Sequence, residues 1–135
     1  MTFKQIQDKM NVVFETIGRL ATELEKSKIE LIKLQAEEKK YTEGVSDAKG
    51  AYGLVKGMDV VHLPTFKNAK SNLEDNKKIL EQVKLKVLVT KAQIDILERD
   101  LQLYKDQYSK LEDQMQQHDN VVRFVNVKRE ETKTN

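Results

Sequence analysis

The chain has 135 residues, 34% of them charged and 6% aromatic, with no Trp, no Cys and a formal net charge of +2. This composition excludes a disulfide framework, a thiol nucleophile and a Cys-based metal site. It also leaves a compact globular core short of the bulky apolar residues that offset chain entropy, and suits long helices that bury only a stripe.

The opening stretch, "MTFKQIQDKMNVVFETIG", carries charge throughout, so it reads as neither a signal peptide nor a membrane span. With no Cys, the protein is expected to be soluble and cytoplasmic. Alternating steps of three and four from Phe3 meet Ile6, Met10, Val13, Ile17, Leu20, Leu24, Ser27, Leu31, Leu34, Glu38, Tyr41, Val45 and Ala48. That is a heptad seam with a at Phe3 and d at Ile6, a spacing no strand face can use. It predicts a first helix over about residues 3–50.

Residues 51–65 break the rhythm. "GLVKGMDVVHLP" holds two of the five glycines and the only proline. It predicts a tip, either an ordered loop or a small β-ribbon turning near Lys56–Gly57, and a contact point for a partner or for other copies. Thr65, after Pro64, is placed to cap the next helix.

The seam restarts at Phe66 and runs through Ala69, Leu73, Asn76, Leu80, Val83, Val87, Thr90, Ile94, Leu97, Leu101, Tyr104, Tyr108, Leu111, Met115 and His118 to Val122 and Val125. It predicts a second helix over residues 66–120 or longer. "NVVRFVNVK" has strand character, so Asp119–Asn120 is a candidate helix end, and Val121, Val122, Phe124, Val125 and Val127 are a candidate partner-binding strand. Residues 128–135 are expected to form a disordered tail, closing a hairpin domain of residues 1–127.

Two such seams joined by a Gly/Pro segment predict an all-α fold: a long antiparallel two-helix coiled-coil hairpin. In antiparallel pairs the partner numbers have a constant sum. A sum of 114 pairs Glu38 with Asn76, the two most polar seam residues, and centres the turn on Gly57. A shift of one heptad would set Asn76 against Val45 or Leu31, at a cost of about 1–3 kcal/mol for a stranded amide. In that register Phe3 meets Leu111, and residues 112–127 overhang.

A second apolar stripe lies off the seam. Leu85, Val89, Ile96 and Leu103 on the second helix, with Ile29 and Ile32 on the first, predict an oligomer face between hairpins. On the flank, Lys70, Lys77, Lys84 and Lys91 fill successive e positions. They are read either as solvated i,i+4 pairs with Glu74, Glu81 and Asp95, or as contacts to nucleic acid or an acidic partner. Glu23, Glu30 and Glu37 make the opposite edge acidic.

No catalytic, cofactor-binding or metal-binding residue stands out. His62 and His118 have no second ligand at a metal-binding spacing, and His118 reads as a seam residue. "KGAYGLVKG" is not a phosphate-binding loop, and the carboxylates lie on exposed helix faces. The expected function is therefore a non-enzymatic structural or adaptor protein. It would self-associate, bind another protein through its tip or C-terminal segment, and need no cofactor, membrane or small-molecule substrate. A second reading is a nucleic-acid-binding accessory factor, a recombination or replication mediator. A third is a chaperone clamp. The outline resembles prefoldin subunits, which are coiled-coil hairpins with β-ribbon tips, and the hairpin stalk proteins of bacterial export ATPases. No sequence motif of either family accompanies that likeness of shape.

Overall fold

The structure, a computed structural model, describes residues 2–58 and 63–134, with side chains as far as residue 119. The described residues are all-helical and contain no strand. Two helices, α1 (Phe3–Lys56) and α2 (Leu63–Thr134), pack against each other as a hairpin.

Helix α1 begins on a capping box. Thr2 Oγ1 accepts the Gln5 N–H at 3.2 Å, and Gln5 Oε1 accepts the Thr2 N–H at 2.9 Å. The two side chains thus satisfy two N–H groups that no helical carbonyl can reach. The helix runs six residues past its expected end near residue 50, because Tyr52 and Val55 continue the three-four spacing and are half-buried. It closes with Gly57 N–H donating to Gly53 O at 3.1 Å and Met58 N–H to Val55 O at 3.3 Å.

Helix α2 begins at Leu63, so Pro64 occupies the first turn, where its missing N–H has no carbonyl to serve. Thr65 accordingly lies inside the first turn rather than capping it from outside. The connection is shorter than the expected 51–65. Its centre, residues 59–62, which includes His62, lies outside the described residues; of the anticipated β-ribbon, the first arm at residues 54–56 is helical, and Lys56–Gly57 is a helix end rather than a ribbon turn. At the other end, Asp119–Asn120 does not stop the helix. The backbone is helical through Val121–Val127 and on to Thr134, through the segments read as a strand and as a tail. A lone strand has no neighbour for its N–H and C=O groups, whereas a helix pairs them internally.

The chain divides into two compact units. The first joins Met1–Leu24 to Ile96–Asn135. Ile6, Leu20, Leu24 and Leu111 are buried there. Phe3 meets His118 with ring centroids 5.5 Å apart, and Phe14 meets Tyr108 at 6.2 Å. The second unit is Glu25–Asp95. Val45, Ala48 and Leu73 form its core cluster, with Tyr52 and Leu80 against it. The Tyr52 and Phe66 rings lie 5.5 Å apart, and a methyl built on Gly44 would sit 3.5 Å from Asn76 Oδ1.

Within each unit, partner numbers add to 118–122 rather than 114. The register is thus one heptad from the expected one. Glu38 and Asn76 do not meet: Asn76 stands beside Gly44, about 9 Å along α1 from Glu38 at 1.5 Å per residue. The cost assigned to that register does not arise. Asn76 Nδ2 donates to its own helix, to Asn72 O at 2.7 Å and Asn72 Oδ1 at 3.0 Å, so the amide is not stranded. The shift also pairs the seam out to Val55 at one end and to Met115 and His118 at the other, all half-buried. Each apolar side chain so covered contributes on the order of 1 kcal/mol, enough to outweigh a polar pair half open to water.

Candidate functional site

Burial on α2 follows the seam without exception up to residue 119. Every position from Phe66 to His118 on the three-four spacing is buried or half-buried, and every other described α2 position is exposed.

No described side chain is less than 2% exposed, since a pair of helices leaves each seam residue open at the flanks. Open grooves follow from this. In the second unit a groove of about 320 Å³ is lined by Glu30, Leu34, Leu85, Lys86, Val89, Thr90 and Gln93. Glu30, Lys86 and Gln93 are all heptad g positions, so the g rows of α1 and α2 share one side of the unit. The e rows therefore share the other. In the first unit a groove of about 610 Å³ is lined by Asp8, Lys9, Val12, Val13, Gln107, Lys110, Leu111 and Gln114. Lys9, Gln107 and Gln114 are again g positions.

The residues assigned to an oligomer face are all exposed. In the second unit these are Ile29 (47%), Ile32 (67%), Leu85 (62%) and Val89 (49%); in the first, Ile96 (56%) and Leu103 (59%). Leu85 and Val89 line the g-side groove, which Ile29 and Ile32 do not reach. Ile32, at position b, belongs with the e side.

Sequence reasoning missed Val12 and Phe14 in the first unit, 63% and 65% exposed. Val12 at position c widens the apolar stripe beside Val13 and lines the larger groove. That doubling of valines was the available signal.

Lys70, Lys77, Lys84 and Lys91 are exposed, as are Gln35, Thr42, Lys49 and Lys56 in the e row of α1. The observed register therefore sets Lys49, Thr42, Gln35 and Lys28 opposite Lys70, Lys77, Lys84 and Lys91, so that Lys49 joins the edge where the expected register placed Ala21, Lys28 and Gln35. On the c and g positions of the same unit four lysines stand against four carboxylates. The acidic edge read from Glu30 and Glu37 is thus neutral once its outer row is counted.

His118 is half-buried against Phe3, with its Nδ1 buried and without a hydrogen-bond partner. Among the described residues no three His, Cys, Asp or Glu side chains group to hold a metal ion, and no helix is long and apolar enough to cross a membrane. The partner-binding set Val121, Val122, Phe124, Val125 and Val127 lies on helical backbone, with side chains outside the described residues.

No protein-family model, curated protein or solved structure matches the chain.

Proposed function

We propose that the chain is a non-enzymatic, antiparallel coiled-coil hairpin that self-associates and mediates macromolecular assembly in the cytoplasm. The observation that carries this reading is the apolar surface left outside the seam. Leu85 and Val89 are 62% and 49% exposed and line an open groove on a unit that encloses none of its described side chains. A second copy offers the same residues, and two helices packed on two is the arrangement by which such stripes leave water. The grooves are open on one side and offer no enclosed volume for a small substrate, which favours assembly over catalysis.

Sedimentation equilibrium tests it. The native chain is expected to be a dimer or larger at tens of micromolar, and Leu85→Glu with Val89→Glu should shift it to monomer at unchanged helicity. A native chain that stays strictly monomeric over that range defeats the reading. The C-terminal segment is the proposed contact for a partner protein. Capture of that partner should be lost when residues 119–135 are removed, while self-association through Leu85 and Val89 persists.

A further inference from the structure

The second unit distributes its charge unequally between its two sides. On the e and b positions nine lysines stand against four carboxylates, a surplus of five; on the g and c positions four stand against four. All of the unit's positive surplus is therefore on the side away from the Leu85–Val89 groove.

From this we infer that the e side of residues 25–95 binds the phosphate backbone of duplex nucleic acid, a surface separate from the one proposed for self-association. Three features point to this occupant. First, the α2 row from Lys70 to Lys91 repeats every seven residues, about 10.5 Å, and extends about 32 Å, close to one turn of a duplex. Second, the inner rows contain no carboxylate over residues 35–91. Their e positions are Gln35, Thr42, Lys49 and Lys56 on α1 and four lysines on α2. Glu74, Glu81 and Asp95 stand one turn on at b and reduce the charge without cancelling it. Third, no aromatic residue or arginine occupies an e or b position of this unit. Single strands are held by stacking on such groups, and base edges are read by arginine forks, so only backbone contact is provided for. Duplex nucleic acid, with one charge per about 1.7 Å of axis, is the polyanion that best rewards point charges on flexible stems.

The experiment is fluorescence anisotropy of a labelled 20-base-pair duplex, titrated with the full chain at several salt concentrations. The expected slope of log affinity against log salt is about −4 to −5, from four to six lysines at about −0.9 each. Lys77→Gln with Lys84→Gln should lower the slope by about 2 and weaken binding at least tenfold at low salt. Lys26→Gln with Lys33→Gln makes the same change in net charge at exposed c positions and should alter both far less. Circular dichroism and the oligomeric mass of each variant show whether fold or self-association has moved instead. Equal losses in the two variants would overturn the assignment to the e side. Absence of binding at low salt, tighter binding to the single strand, or equal competition by poly-glutamate would overturn the duplex as occupant. None of these results bears on the monomer–oligomer measurement.

Discussion

At the residue scale, the side chain that most rewards attention is Asn76. It occupies a seam position, half-buried, with both its Nδ2 contacts inside its own helix. An amide satisfied locally contributes nothing across the pair, and it takes the place of a side chain that could. Asn76→Leu is therefore expected to stabilise the hairpin by about 1 kcal/mol, seen as a higher urea midpoint at unchanged slope. A lower midpoint would mean that the amide holds α1 and α2 together in a way its hydrogen bonds do not reveal. A second change acts through the unfolded chain. Gly18 lies in the interior of α1, and a methyl built there meets nothing within 4 Å. Gly18→Ala removes backbone freedom from the unfolded state without crowding the folded one, a gain of about 0.5–1 kcal/mol. No gain, or a loss, would show that this face of α1 is covered in solution.

At the element scale the open question was register, and a choice between two sums separated by seven is testable directly. The chain has no Cys, so two introduced thiols are the only ones present. Val45→Cys with Asn76→Cys should join rapidly through a short bifunctional thiol reagent. Glu38→Cys with Asn76→Cys should join slowly if at all. The reverse order would restore the pairing of Glu38 with Asn76. This element also marks how far the sequence was legible. Seam periodicity located every covered α2 position up to His118, because burial in a helix pair depends only on the angle at which a side chain leaves the axis. Register was not legible in the same way. The choice turned on seam residues at the two ends, Val55, Met115 and His118, which only the observed sum covers, and on Asn72 standing one turn before Asn76 to accept its amide. The end of α1 was placed too early, and that of α2 left open, for a related reason. Tyr52 and Val55 keep the spacing inside a stretch rich in glycine, and the strand propensity of residues 120–128 carries little weight where no second strand is present to pair with. The capping box at Thr2 and Gln5 went unread, although Thr followed three residues later by Gln is its signature. The side assignments of Ile32 and Val89 depend on b and c lying on different flanks, with Leu85 at f between them. That is written in the heptad, but it emerges only when the g rows are seen to share a groove.

At the scale of the whole molecule, two helices alone make a marginal protein. Each seam side chain keeps a flank open to water, and the surface retains exposed Leu and Ile that a larger fold would enclose. If copies associate through Leu85 and Val89, part of the folding free energy is intermolecular, and stability must follow concentration by mass action. A tenfold rise in protein strengthens a dimer by about 1.4 kcal/mol, which spread over two chains of this length raises the melting temperature by roughly 2–3 °C. Helicity followed by circular dichroism at two concentrations a factor of ten apart reads this directly. The Leu85→Glu and Val89→Glu chain should melt at one temperature at both concentrations, and below the native chain at either. A native melting temperature indifferent to concentration would place all the stability within the single hairpin, and the exposed apolar side chains would then need an occupant other than a second copy. The same pair of melts repeated with duplex present separates the two proposed surfaces. Ligand bound through the e side adds its own stabilisation to both chains, less to the substituted one because Leu85 shares a groove with Lys78 and Glu81 and two added negative charges there weaken the attraction without removing it. If the glutamates abolished that increment too, the two surfaces would be one.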